Sequence, residues 1–512
     1  MSILSKIFQK EKVKETVETT QKFSDLESYF QQFRKNIVGV NYTFQSPYGE
    51  KEIIYTDWTA SGRLYRPIEE KLINEFGPFI ANTHTETSET GTLMTHSYHY
   101  AQKLIKKHVN AGPNDVLLQA GFGMTAVINK LQRILGLKGC GMFKYKDCLR
   151  EIDRPVVFIT HMEHHSNQTS WYETACDVVI VEPDENLLVD PERLREQLEK
   201  YKDRKLKIGS FSAASNVTGV KPPYHQLAKL MHEFGGVCFI DFAASAPYAE
   251  INMHPEDPME KLDVIFFSPH KFLGGPGTAG IMIFDSSLYN CEVPDNPGGG
   301  TVDWTNRWGE YKYIDDIELR EDGGTPGFMQ AIKTALAFEL KEQMGVHNME
   351  NREKELIPRA FNGLKKISGV RILADNVIDR IGALSFYIEN VHYNLVVKIL
   401  SDRFGIQVRG GCACAGTYGH YLLDVTYDYS KEITDQINHG DLSQKPGWIR
   451  WSIHPTTLDS EIDYFVYAVE EVAKNHKMWA GDYIYNKKSN EFIHQDFQGK
   501  SNYDLNKWFS IK

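Results

Sequence analysis

Between residues 115 and 285, seven short apolar runs alternate with longer stretches of helical period, and few architectures accommodate that rhythm. The runs are DVLLQA (115–120), PVVFIT (155–160), DVVIVE (177–182), KIGSFSA (207–213), VCFID (237–241), DVIFF (263–267) and GIMIF (280–284). They are apolar almost continuously rather than at every second position, so both faces of each strand must be covered. TAVINKLQRIL, DPERLREQLEKY and YHQLAKLMHEF read as covering helices. The expected fold is α/β, with a mostly parallel seven-stranded sheet. Ligands of such sheets bind beyond the carboxyl ends of the strands, so the residues following each run come under scrutiny.

Those positions form a consistent inventory. The first run leads into GFGMTAVIN, a glycine turn feeding a helix whose free N–H groups and dipole suit a phosphate. The second leads into HMEHHSNQTSW, where His161 with His164 or His165 could also reach one metal ion. The fourth leads to Ser215 and Asn216, the fifth ends on Asp241, and the sixth leads into FSPHKFLGGPG with Ser268, His270 and Lys271. Taken singly, each has an ordinary explanation: a solvated lysine, a helix cap, a surface loop. Taken together, an aromatic ring, an acid, a phosphate cradle and a lysine at one sheet edge make the set that holds pyridoxal phosphate.

With YTDWTASG, GMTAVIN, MEHHSN, SNVTG, FIDFAAS, SPHKFLGGPG, GGTPG, VRGGCACAG and IRWSIHPTTLDSEID in this order, the chain resembles the class V aminotransferase family of fold-type I pyridoxal phosphate enzymes. Within it, the chain is similar to the group II cysteine desulfurases and to the amino-terminal domain of molybdenum cofactor sulfurases. The resemblance runs from about Tyr55 to about Val472. It implies a large cofactor-binding domain, a smaller carboxy-terminal α/β domain and a homodimer with shared sites.

The resemblance also implies roles. Lys271 would bond covalently to the cofactor and Asp241 would face its ring nitrogen, while His164 would stack on the ring and Asn216 would lie near its phenolic oxygen. Met124, Thr125, Ser268 and His270 would hold the phosphate, and Thr325 would reach the phosphate of the neighbouring subunit. Arg450 would grip the substrate carboxylate with its bidentate fork, with Arg409 and Ala60 close by. Cys414 falls on the desulfurase nucleophile and Cys412 on a group II histidine position. The implied reaction converts L-cysteine to alanine and leaves a persulfide on Cys414, for delivery to a sulfur-acceptor protein. There are departures from the pattern: Ala244 replaces a usual glutamine beside the phenolic oxygen, with Ser245 as a possible substitute, and Met124 replaces a frequent threonine.

Along the chain we expect a charged helical extension over 1–38, with an amphipathic face in SDLESYFQQFRKNI but otherwise solvated. A large domain over 39–330, a small domain over 331–475 carrying the cysteine loop, and a tail over 476–512 should follow. RILADN, ALSFYIE, GIQVRG and WIRWSIH should be small-domain strands, and ELIPRAFNGLKKI and SEIDYFVYAVEEVAK its helices. The stretch 419–447 is expected to be a lid or a partner surface. A formal net charge of −11 disfavours nucleic acid. The seven scattered cysteines suit free thiols in a reducing compartment, and no apolar window reaches membrane-spanning length, so a cytoplasmic protein without membrane contact is expected. Two other readings remain: an aminotransferase or other lyase without a nucleophilic thiol, and a cofactor-free or zinc-binding protein using HMEHH and CAC.

Overall fold

The computed structural model describes residues 25–83, 85–139, 149–497 and 503–511. All seven runs become strands of one sheet: β1 (Asp115–Ala120), β2 (Val156–Thr160), β3 (Asp177–Val181), β4 (Lys207–Ser212), β5 (Val237–Asp241), β6 (Val264–Phe267) and β7 (Gly280–Asp285). Their spatial order is β1-β7-β6-β5-β4-β2-β3. The strands from β6 to β3 run parallel, and β7 is antiparallel to both neighbours. Continuous apolarity has the anticipated cause. Val157, Ile159, Val264 and Phe266 bury themselves on one face with Val127, Leu131 and Trp171 of the covering helices. Their sequence neighbours Val156, Phe158, Ile265 and Phe267 enter the core on the other face.

A second sheet has the order β8 (Val370–Ile372), β9 (Ala383–Ile388), β11 (Trp448–Ser452), β10 (Arg409–Gly411), antiparallel throughout. Its core includes residues of the helices Val346–Lys365, Tyr393–Phe404 and Asp459–Trp479, with Trp451 stacked on Phe465 at 3.8 Å. The GIQVRG segment is two short strands, because Ile406–Gln407 pairs in parallel with Ile54–Tyr55 before β10 begins.

The amino-terminal segment departs from expectation. Residues 1–24 lie outside the described residues, but the helix Leu26–Arg34, capped by Asp25, is packed rather than solvated. Phe30 is 1% exposed, the Tyr29 hydroxyl donates to the Gln343 carbonyl at 3.0 Å, and Arg34 pairs with Glu461 at 2.7 Å. These partners lie over 300 residues away, beyond the reach of local pattern. Phe30→Ala should cost about 3 kcal/mol or more, because a buried ring leaves a cavity that neighbours only partly fill. Urea denaturation would register this as a lower midpoint.

The carboxy-terminal tail is also integrated. β12 (Tyr483–Asn486) and β13 (Glu491–His494) form a hairpin, and Tyr483 is buried in the core of the second sheet. Asp482 accepts from Arg403 at 2.7 Å and from the Tyr48 hydroxyl at 2.8 Å. The 419–447 stretch is largely helical, within Gly416–Leu422 and Tyr427–Asn438, and Asp441 pairs with Lys487 beyond the hairpin's first strand at 3.0 Å. Among the described residues no helix is long and apolar enough to cross a membrane.

Candidate active site

Because β5 and β6 are parallel neighbours in register, with Asp241 opposite Phe266, their carboxyl ends deliver Asp241 and the loop 268–271 to the same edge. A cavity of about 830 Å³ opens there, and both Asp241 and Lys271 line it. His164, Asn216, Met124, Thr125, Ser268 and His270 line it as well.

The cavity's electrostatics follow from exclusion of water. Burial pushes the Lys271 amine down to about 8, against the pull of Asp241, with Arg450 and Arg409 adding to the depression. Burial raises Asp241 to about 6, opposed by the Ala243 N–H on Oδ1 at 2.8 Å and by the charge of Lys271. Burial and then Lys271 hold His164 at about 3, so its ring is neutral, with Nδ1 accepting the Ser166 N–H at 3.1 Å. Behind it, the Glu163 carboxylate accepts from the hydroxyls of Thr160 and Ser212, both at 2.6 Å, and from the Asn167 amide at 2.8 Å. That network fixes the loop presenting His164.

At the other end, the helix Met124–Ile134 starts on Gly123. The Met124 N–H donates to Ser268 Oγ at 2.9 Å, Thr125 and Ser166 share a hydroxyl bond at 2.6 Å, and His270 Nδ1 donates to the Phe122 carbonyl at 2.9 Å. A Cβ at Gly123 would stand 3.1 Å from Ser268 Oγ, so the close approach of backbone to this corner depends on glycine.

Arg450, on β11, is 3% exposed. One of its amino groups pairs with Asp57 Oδ1 at 2.7 Å and the other donates to the Asn216 carbonyl at 3.3 Å. Exposed Arg409 reaches Asp57 Oδ2 at 3.2 Å, so one carboxylate bridges both arginines. The Ala60 N–H donates to the Asp57 carbonyl at 3.0 Å, beside them. Asp57 is not singled out by sequence, although it lies inside YTDWTASG two residues after the strand Ile54–Tyr55.

Three groups are not brought into this cavity, the first being Arg450, Arg409 and Ala60, none of which lines it. Thr325 is exposed and does not line it. Cys412 and Cys414 line a second cavity of about 930 Å³, which Asn490, Phe492 and His494 of the carboxy-terminal hairpin line as well. Only the loop's backbone reaches the first cavity's wall: Asn216 Nδ2 donates to the Ala413 carbonyl at 2.7 Å. Of the HMEHH histidines, His161 has its Nε2 bonded to the Leu187 carbonyl at 3.1 Å, and among the described residues no group of three or more His, Cys, Asp or Glu is placed to hold a metal ion.

The Aminotransferase class-V family pattern matches residues 54–465. The chain belongs to the class-V aminotransferase family. Among curated relatives of this class-V protein, one from Halalkalibacterium halodurans, named "Probable cysteine desulfurase", is 28% identical over 73% of this chain and 86% of its own length. Another of the same name from Pyrococcus abyssi is 25% identical over 83% of this chain and 95% of its own. Two solved structures share the fold: a cysteine desulfurase from Thermococcus onnurineus (TM-score 0.69, 23% identity, 87% of this chain, 98% of that one) and one from Escherichia coli (TM-score 0.67, 21% identity, 87% and 98%). The fold is that of fold-type I pyridoxal phosphate enzymes.

The class-V cavity fits that cofactor on its own evidence. It sets a partly neutral lysine, a buried acid and a helix start around one space, and Asn216 Oδ1 on its wall is buried without a partner. Ala244 lines the cavity and packs with Ala214, Ile381 and Ala383, giving an apolar wall where a glutamine is usual. Ser245 is buried, does not line the cavity, and its Oγ has no partner, so it does not replace that glutamine.

The Lys271 environment has a measurable consequence. Only the neutral amine attacks an aldehyde, and half of the Lys271 amines are neutral near pH 8 instead of the usual ~10.4. Recombination of cofactor-free protein with pyridoxal phosphate, followed by absorbance, should speed up as pH rises and level off above about 8. A rate still climbing steadily to pH 10 would contradict it.

Proposed function

We propose that this class-V protein is a pyridoxal-phosphate-dependent cysteine desulfurase that converts L-cysteine to alanine and leaves the sulfur as a persulfide on Cys414. The observation that carries the reading is the joint lining of one buried cavity by Lys271, Asp241 and His164, with the cysteine loop hydrogen-bonded to the cavity wall. The names of the relatives in Halalkalibacterium and Pyrococcus support it.

Pyridoxal phosphate supplies an electron sink for a negative charge developing at the substrate's Cα. Lys271 would hold it covalently, Asp241 would keep a proton on its ring nitrogen, and the neutral His164 ring would stack on its face. Met124, Thr125, Ser268 and His270 would bind the phosphate, and Asn216 would lie beside the phenolic oxygen. Arg450, with Arg409 and Ala60 alongside, would take the substrate carboxylate in competition with Asp57. Released by substrate, Lys271 Nζ would take the Cα proton. Cys414 Sγ, as thiolate, would then attack the substrate sulfur; the new S–S bond forms as the C–S bond breaks, and a proton to the substrate carbon completes alanine.

The partner arrangement is a homodimer in which Thr325 completes the neighbouring phosphate site, and the second cavity suits hand-over of sulfur to an acceptor protein. The five described cysteines are free thiols, which supports a reducing, cytoplasmic setting. An aminotransferase or other lyase on a small amino acid is the second reading, favoured by the apolar wall at Ala244 and by the outward thiols. Incubation of the yellow holoenzyme with L-cysteine decides between them: alanine and protein-bound persulfide in equal amounts support the desulfurase, whereas amino transfer to a keto acid without persulfide supports the alternative.

A further inference from the structure

The third histidine of HMEHH has no task in the reading above. His165 opens the helix His165–Tyr172, and both its backbone and its ring are engaged by the cysteine loop. Its N–H donates to the Cys414 carbonyl at 2.8 Å, and its Nε2 accepts the Gly416 N–H at 2.9 Å. A backbone N–H can only donate, so Nε2 is unprotonated and the ring's proton sits on Nδ1. Burial, and after it the Lys445 ammonium, disfavours the charged ring and keeps that acceptor available. The approach is close: a Cβ on Gly416 would stand 3.2 Å from Nε2.

The loop needs such anchoring. Ala413 and Cys414 have φ of 51° and 57°, in the left-handed region where a Cβ is disfavoured. Two consecutive residues persist there only when their surroundings hold them. The bonds to His165 bracket Cys414, one at its own carbonyl and one two residues on, and Gln168 Nε2 donates to Thr417 Oγ1 at 2.8 Å just beyond. His165 directly follows His164, so whatever fixes the loop to His165 fixes it relative to the cofactor-facing ring.

We propose that His165 is the positioning residue of the sulfur-carrying loop, holding the loop's backbone against the wall of the cofactor cavity through the Gly416 N–H bond to its ring and the Cys414 carbonyl bond to its backbone. The proposal rests on the desulfurase reading for its catalytic effect, but the anchoring can be read without it.

The test compares holoenzyme carrying His165→Leu, which removes the ring acceptor, with His165→Gln, which returns an acceptor oxygen. In His165→Leu, single-turnover persulfide formation on Cys414 should fall about tenfold or more and amide exchange across 413–416 should speed up similarly, as loss of one buried hydrogen bond implies. The substrate-induced absorbance change on mixing with L-cysteine should stay within about twofold, and His165→Gln should recover most of both losses. Should His165→Leu not accumulate as folded protein, Gly416→Pro removes the donor N–H from the other side, at a first helical position that tolerates proline, and should give the same pattern. Unchanged exchange and persulfide rate would overturn the proposal, as would parallel losses of cofactor retention and substrate uptake, which mark a merely structural role. If wild-type protein makes no persulfide, the desulfurase reading fails, and exchange at 413–416 alone still decides whether His165 anchors the loop.

Discussion

Lys271→Ala is expected to yield colourless protein that retains no cofactor after borohydride reduction, and to lower turnover of L-cysteine by about 10³-fold or more. Two losses combine. The covalent anchor disappears, and so does the base at the substrate's Cα, a contribution of about 10²–10⁴-fold on its own. The fold should survive, because the Lys271 amine makes no hydrogen bond or ion pair among the described residues and its removal relieves a desolvated group, while the backbone N–H that donates to the Ser268 carbonyl at 3.0 Å is kept. Peptide mapping of reduced wild-type protein should locate the cofactor on the peptide containing Lys271. Its recovery on a different lysine would remove the basis for every role assigned around the cavity.

Cys414→Ala is expected to separate binding from sulfur transfer. Cofactor colour and the absorbance change on adding L-cysteine should persist, since neither thiol lines the cavity of Lys271. Alanine and persulfide formation should drop by about 10³-fold or more, because the thiol proposed to attack the substrate sulfur is gone. Cys412→Ala should stay within about tenfold of wild type, a packing and loop effect only. Retention of full activity by Cys414→Ala, with amino transfer to a keto acid, would place the protein with the thiol-independent members of its family.

The sheet was legible because both its faces are buried, and burial on both faces leaves an unbroken apolar signature in runs such as VVFIT and VIFF. Asp241 and Lys271 were legible for a related reason: each ends or follows a wholly apolar strand, where a charged side chain has few structural uses. The helix containing Phe30 was misread because its partners Gln343 and Glu461 lie far along the chain, and its polar face dominates the local pattern. Asp57 was invisible as a site residue because its meaning depends on two arginines more than 350 positions away. The outward thiols of the cysteine loop could not be anticipated either. Their direction follows from left-handed dihedrals at Ala413 and Cys414, which no residue-type preference announces at alanine or cysteine.

The parallel pairing of Ile54–Tyr55 with Ile406–Gln407 is short, but it stitches the segment bearing Asp57 onto the second sheet, reinforced by the Ser452 N–H to the Thr56 carbonyl at 2.8 Å. Asp57, Arg409 and Arg450 therefore form one ion-paired unit. The same segment is also tied to the loop that presents Lys271, by the Gly62 N–H on the His270 carbonyl at 2.9 Å, so the arginine-bound carboxylate is clamped between the second sheet and that loop, and a change at either attachment is transmitted to the other.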